Sequence, residues 1–74
     1  MEMEEINIET EFITLSQLLK YINIFESGGI IKLYLQDEGV YVNDELEHRR
    51  GRKIYADDVI RLKSGETYIV KVSS

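Results

Sequence analysis

The segment around Thr14 constrains the fold more than any other part of this sequence, because it marks the start of a helix. Thr14 is followed three residues later by Gln17, and this capping-box pattern satisfies backbone amides at both positions. Ile13 and Leu18 occupy the two positions of a hydrophobic staple around the same cap. The apolar residues that follow have helical spacing and predict a short helix from about Leu15 to Ile22, whose buried face comprises Leu15, Leu18, Leu19 and Ile22.

A second helix is predicted shortly after the first. Ser27 is a favourable N-cap, and a helix that begins at Gly28 and Gly29 extends to about Glu38. Gly39 follows, where a left-handed conformation costs glycine little and ends the helix. This helix is apolar around much of its circumference, so we expect it to pack against the first helix on one side and a sheet on another.

Short alternating segments predict β-strands on both sides of the helix pair. Ile6 and Ile8 alternate with polar residues before the first helix, and Asn43-Asp44 predicts a tight hairpin turn after the second. We therefore expect an α+β fold in which two short adjacent helices pack on a small antiparallel sheet. The predicted core comprises Leu15, Leu18, Leu19, Ile22, Ile31, Leu35, Val40, Val42, Ile54, Val59 and Ile60.

Composition excludes several classes of protein. The 74 residues suffice for one domain over residues 1–74, in which we expect 1–5 to be a frayed acidic end. With no cysteine and one histidine, neither a disulfide nor a metal site is expected, and no motif indicates a cofactor or an enzyme. No apolar run reaches the roughly 18 residues that span a membrane, and no signal peptide is present, which favours a cytoplasmic protein.

Charge is distributed unevenly along the chain. The net charge is -5, but five glutamates and no basic residue fall within the first eleven positions, which leaves the remainder neutral. Four basic side chains lie within five residues, namely Arg49, Arg50, Arg52 and Lys53. Local potential governs the encounter with a polyanion more than the total charge does, so the acidic pI does not exclude a nucleic acid ligand.

The basic cluster is the principal candidate binding site. Arginine matches phosphate oxygens bidentately, and Gly51 permits a turn that presents the arginines together. His48 and Tyr55 flank the cluster and are candidates for stacking on unpaired bases. The alternative interpretation is a solvated loop whose charges only balance the acidic N-terminus.

A second candidate site lies at the start of the second helix. Unpaired amides at a helix N-terminus attract anions, and the glycines of Ser27-Gly28-Gly29 allow a phosphate to approach the backbone. Lys32 lies one turn further on, and Lys20 near the end of the first helix is a weaker candidate contact. Alternatively, the glycines serve close packing of the two helices, and Lys20 compensates the helix dipole.

The order of these features resembles a known RNA-binding domain. Two helices are followed by Glu38–Asp44, a basic loop and a strand that begins at Asp58-Val59. This arrangement over residues 12–62 is similar to the domain named after ribosomal protein S-four, also called the alpha-L motif, and to its small stand-alone YaaA/YbcJ-like branch. The chain departs from the usual pattern at Thr14 and Gly28, where many members have arginine, and at Asp44 and Asp57, where the pattern has glycine.

The resemblance and the basic cluster together imply a function. We expect a small, non-catalytic protein that binds structured RNA, such as ribosomal or another stable RNA, through its basic loop and the start of its second helix. Two alternatives are left open by the residues: DNA as the ligand, or an adaptor with a protein partner in replication, recombination or repair. The second follows from the resemblance, because YaaA-type members are often encoded beside replication and recombination genes.

Overall fold

The computed structural model describes residues 3–22, 25 and 27–73 and has the predicted α+β architecture. In chain order its elements are β1 (Glu4–Ile8), β2 (Phe12–Thr14), α1 (Leu15–Tyr21), α2 (Gly28–Asp37), β3 (Val40–Val42), β4 (Glu45–Glu47), β5 (Lys53–Tyr55), β6 (Val59–Arg61) and β7 (Thr67–Val72). Neither helix in this described part of the chain is long and apolar enough to cross a bilayer.

Both helices begin at their predicted caps. At α1 the Gln17 amide donates to Thr14 Oγ1 at 3.3 Å, and the Thr14 amide donates to Gln17 Oε1 at 3.0 Å. Helix α1 ends at Tyr21, with Ile22 as its C-cap. At α2 the hydroxyl of Ser27 accepts from the Ile30 amide at 3.3 Å. The capping box and the N-cap serine are therefore confirmed as helix starts.

The strands form a five-stranded sheet in the order β1-β7-β6-β3-β4 and a separate ribbon of β2 with β5. Every pair is antiparallel except β1 with β7, which run parallel and align Glu4 with Tyr68 and Glu5 with Ile69. The expectation of a frayed end is therefore wrong from Glu4 onward, while residues 1 and 2 lie outside the described residues. Burial of Ile6 and Ile8 on β1 stabilises this pairing, because both side chains join the core.

The core lies between the helices and one face of the sheet. Nine of the predicted core residues are buried, but Ile22 and Val59 are only partly buried. Val59 precedes the buried Ile60 on β6, and neighbouring strand residues point to opposite faces, so only one of them can face the core. The core also contains five residues outside the prediction, namely Ile6, Ile8, Leu62, Tyr68 and Val70.

Two turns that carry the family resemblance are linked to each other. Asn43 Nδ2 donates to Asp58 Oδ1 at 3.0 Å, and the Val59 amide donates to Asn43 Oδ1 at 2.9 Å. Asp44 and Asp57, where the family pattern has glycine, both have positive φ, at 69° and 71°. The glycines of the family pattern at these positions therefore reflect the backbone geometry of the turns, which favours glycine and tolerates aspartate.

Candidate nucleic-acid interface

The basic loop, defined here as residues 48–53 between β4 and β5, is bound to the start of α1. The Leu15 amide donates to the carbonyl oxygen of Arg52 at 2.9 Å, and the Ser16 amide donates to that of Arg50 at 3.0 Å. The first amides of a helix have no partner within the helix. The loop therefore satisfies these donors, and the same bonds fix its backbone on α1.

Glu47 organises the arginines of the basic loop. Its side chain is 8% exposed, and Oε1 accepts from Arg49 Nη2 at 3.1 Å and from Arg52 Nη1 at 3.0 Å. Oε2 accepts from Arg49 Nε at 3.1 Å and from the amides of His48 and Arg49 at 3.0 and 3.1 Å. The hydrogen bond from the Arg49 side chain is the main cause that lowers the pKa of Glu47 to about 2, so the carboxylate is ionised at neutral pH.

Glu47 belongs to the stretch that carries the family resemblance, but its role was not predicted, although the hairpin contains the signal. The two-residue turn at Asn43-Asp44 fixes a register in which Val40 faces Glu47 and Tyr41 faces Leu46. Because Val40 points into the core, the side chain of Glu47 lies on the core face, while Leu46 is 47% exposed. Register, rather than hydrophobicity, decides which side chain of β4 is buried.

The other end of the basic loop contacts the end of α2. The Leu35 carbonyl accepts a hydrogen bond from His48 Nδ1 at 2.6 Å, so this ring nitrogen carries a proton. Gly39 has φ of +74°, and a Cβ there would lie 2.8 Å from the Glu47 carbonyl oxygen. His48 thus has a structural bond, and its contact with RNA stays a prediction.

Gly51 has a smaller role than the sequence suggests. It is absent from the residues with positive φ, and an added Cβ would meet nothing within 4 Å. The turn therefore does not require glycine at this position. The bonds of Glu47 and α1, rather than a flexible glycine, determine how the loop presents its side chains.

An open groove runs between α2, the start of α1 and the basic loop. It has a volume of about 570 Å³ and is lined by Thr14, Ser16, Lys32, Gln36, His48, Arg49, Arg50 and Gly51. The Arg49 side chain is 76% exposed, and Arg50 is exposed without an ion pair among the described residues. A neighbouring cavity of about 590 Å³ is lined by Arg49, Gly51, Arg52 and Lys53. The structure thus brings the predicted basic cluster, His48 and Lys32 together.

The remaining candidates form a separate cluster at the start of α2. A Cβ added to Gly28 would lie 3.4 Å from Lys20 Cε and 3.6 Å from Lys20 Nζ, so the lysine packs against this helix end. Ser27 is the N-cap of α2, and the Ser27 hydroxyl lies near the position that a Cβ added to Gly29 would take. The part of α1 that lies against Gly28 is thus the exposed Lys20 side chain, and a phosphate contact at this helix end stays a prediction.

The acidic strand β1 and the strand β4, which precedes the basic loop, occupy opposite edges of the five-stranded sheet. The other end of the loop leads into β5, which pairs with β2 and contacts β7. A solvated loop whose charges balance the acidic N-terminus therefore remains the alternative to a binding site.

This fold, with a basic groove built on two adjacent helices, defines a small nucleic-acid-binding domain. A family model described as S4 domain matches residues 6–71, and the chain belongs to this family, whose domain binds RNA. The chain is also 48% identical over 58 residues to the probable ribosome maturation protein RlbA of Bacillus subtilis (strain 168). That alignment covers 78% of this chain and 82% of the relative. The resemblance found in the sequence is confirmed.

Proposed function

We propose that this protein is a non-catalytic RNA-binding domain that docks on structured RNA through the groove and the basic loop. The observation that carries the proposal is that Arg49, Arg50 and Lys32 line one groove, with the arginines on a loop whose backbone is bonded to the start of α1. Five positive side chains surround the two cavities, against the single negative charge of Glu47. Ordering of the loop before binding reduces the entropy lost on association.

The arginines keep donors for phosphate despite their bonds to Glu47. Arg49 donates to Glu47 through Nε and Nη2, which leaves Nη1 for a ligand, and its side chain is 76% exposed. Arg50 is exposed and its side chain makes no hydrogen bond in the described part of the chain, so its guanidinium donors are available to a ligand. Arg50 is therefore the principal phosphate contact in this proposal, and Arg52, 27% exposed, is mainly a support of the loop.

Structured RNA suits this surface better than a flexible strand does. A-form RNA is recognised through its shape, its phosphates and its 2′-hydroxyls, and basic side chains on a loop whose backbone is held on α1 match a fixed row of phosphates. Lys20 and the amides of Gly28 and Gly29 provide a second phosphate contact at the start of α2. The name of the Bacillus relative supports ribosomal RNA, or an assembling ribosomal subunit, as the target.

Fluorescence anisotropy at two salt concentrations tests the proposal. The ligands are a structured ribosomal RNA fragment, a single-stranded RNA and a DNA duplex. We expect the tightest binding to structured RNA, and a log–log salt slope of roughly -3 to -4 if about four phosphates are neutralised. No binding to any ligand at tens of micromolar and low salt would contradict it, and tighter DNA binding would reassign the ligand.

Charge variants locate the contact on the surface. Arg50→Glu should weaken RNA binding at least 10-fold, because it reverses the charge at a position that faces the groove and removes no bond to Glu47. Lys63→Glu makes the same change of charge on the exposed turn after β6 and serves as the matched control. Equal losses in the two variants would show that total charge, rather than the groove, determines affinity.

A protein partner in replication or repair is the alternative that the sequence left open. A pull-down with and without nuclease separates it from the proposal. Recovery of ribosomal components that disappears with ribonuclease supports RNA binding. Recovery of a protein that is unaffected by nuclease supports the adaptor.

A further inference from the structure

We propose that Phe12 and Tyr55 form a stacking platform for one unpaired base beside the structured RNA. This inference rests on the proposed function, because the basic loop brings the RNA to the platform. The residues lie opposite each other on the β2–β5 ribbon, outside the five-stranded sheet. A ligand that contacts both the basic loop and this platform is a helical RNA with an unpaired nucleotide at its end or in a bulge.

The two rings form a pair outside the core, in which Tyr55 is exposed and Phe12 is partly buried. Their centroids are 5.9 Å apart and their planes are inclined by 50°. Tyr55 is 44% exposed, whereas the preceding residue, Ile54, is completely buried and attaches β5 to the core. Burial of Ile54 therefore stabilises the ribbon, and the ring of Tyr55 remains accessible to a ligand.

A continuous series of cations leads from the groove to the rings. The groove beside α2 and the cavity at Lys53 share Arg49 and Gly51, so they adjoin along the basic loop. Lys53 Nζ in turn lies 5.0 Å from the centroid of the Phe12 ring. Lys53 therefore covers part of the Phe12 ring, and a backbone that follows the arginines arrives at Lys53 with the exposed ring of Tyr55 next to Phe12.

This combination of groups matches a nucleotide at the end of a helix. Lysine pairs with the phosphate, and the aromatic face accepts any base, because every base has a π-face. An unpaired base can leave its own helix to stack on a protein ring, which a paired base cannot do. The platform thus adds a preference for unpaired nucleotides to binding that is otherwise governed by shape and charge.

The test compares two RNA hairpins with the same stem, one blunt and one with a single unpaired 2-aminopurine at its end. The overhang is placed at the 5′ end in one RNA and at the 3′ end in another. Stacking quenches 2-aminopurine, so wild-type protein should lower its fluorescence and bind one overhang RNA about 5- to 10-fold more tightly than the blunt RNA, at the lower end of measured base stacking.

Tyr55→Leu and Phe12→Leu should abolish both the quenching and the added affinity, while binding to the blunt RNA stays unchanged. Tyr41→Leu is the matched control, because Tyr41 also lies beside a cation, with Arg61 Cζ at 4.7 Å from its ring, but belongs to β3 of the five-stranded sheet. Thermal unfolding of each variant confirms that it is folded.

The outcomes separate this inference from the proposed function. Equal affinity for blunt and overhang RNA, with no quenching, overturns the platform and leaves RNA binding intact. Quenching that survives in Tyr55→Leu and Phe12→Leu also overturns it. Absence of binding to every RNA overturns the proposed function and the platform together, whereas binding to overhang RNA alone supports the platform and contradicts docking on the stem.

Discussion

The carboxylate of Glu47 lies 3.0 Å from Arg52 Nη1, and this ion pair joins the end of β4 to the far side of the basic loop. The side chains are 8% and 27% exposed, so the pair is better shielded than an ordinary surface salt bridge. Since the same carboxylate also binds Arg49, one acidic residue fixes two arginines. The Glu47 carboxylate therefore determines how Arg49 and Arg52 are arranged in the basic loop.

Removal of the Glu47 carboxylate should destabilise the fold. Glu47→Ala leaves Arg52 and the amides of the loop without their acceptor, and we expect a loss of about 2–4 kcal/mol in the free energy of unfolding. Denaturant unfolding measures this loss. Glu45→Ala is the control, because Glu45 is exposed on the same strand and should change stability by less than about 0.5 kcal/mol. Equal effects in the two variants would contradict the role of Glu47.

The lowered pKa of Glu47 predicts how stability depends on pH. Ionised Glu47 is favoured by folding, so its contribution is complete above the unfolded pKa of 4.5 and is lost as the pH falls toward about 2. The difference in the free energy of unfolding between wild type and Glu47→Gln should therefore be constant between pH 5 and 8. It should become smaller as the pH falls from 4.5 toward about 2. Urea titrations at each pH measure it, and a difference that does not vary with pH below 4.5 would contradict the prediction.

Gly39 and Gly51 should respond differently to the same substitution. Gly39→Ala forces a left-handed alanine against the Glu47 carbonyl, 2.8 Å away, and we expect a loss of at least about 2 kcal/mol. Gly51→Ala adds a methyl group in open space and should change stability by no more than about 0.5 kcal/mol. Thermal unfolding compares the two, and a large loss in Gly51→Ala would mean that the loop conformation differs from the one described.

Asp44→Gly should stabilise the protein. Asp44 has φ of 69°, and glycine adopts this conformation without a steric penalty, so we expect a gain of about 0.5–1 kcal/mol. The exposed contact of Asp44 with Arg61, at 3.7 Å, contributes little against this gain. Asp44→Ala retains the Cβ and should bring no such gain. If alanine and glycine stabilise equally, loss of the carboxylate rather than relief of the backbone is responsible.

Local pattern predicts the helices, because Thr14 and Ser27 satisfy amides within a few residues of themselves. The strands β1 and β7 pair although they are far apart in the sequence, and no local sequence pattern predicts this pairing. The charge of the basic cluster is evident from the sequence. Its organisation cannot be predicted in the same way, because it depends on the hairpin register, which buries Glu47 beside Val40 and leaves Leu46 exposed.

The most direct test of the basic loop as an RNA contact is a map of amide chemical shifts during titration with the structured RNA fragment. We expect the largest changes at Ser16, Lys32 and Gln36 and across residues 48–53, which form the groove and the basic loop. Amides of β1, at the far edge of the sheet, should stay unchanged. Changes concentrated on β1 and β7, with none in the basic loop, would contradict the central claim.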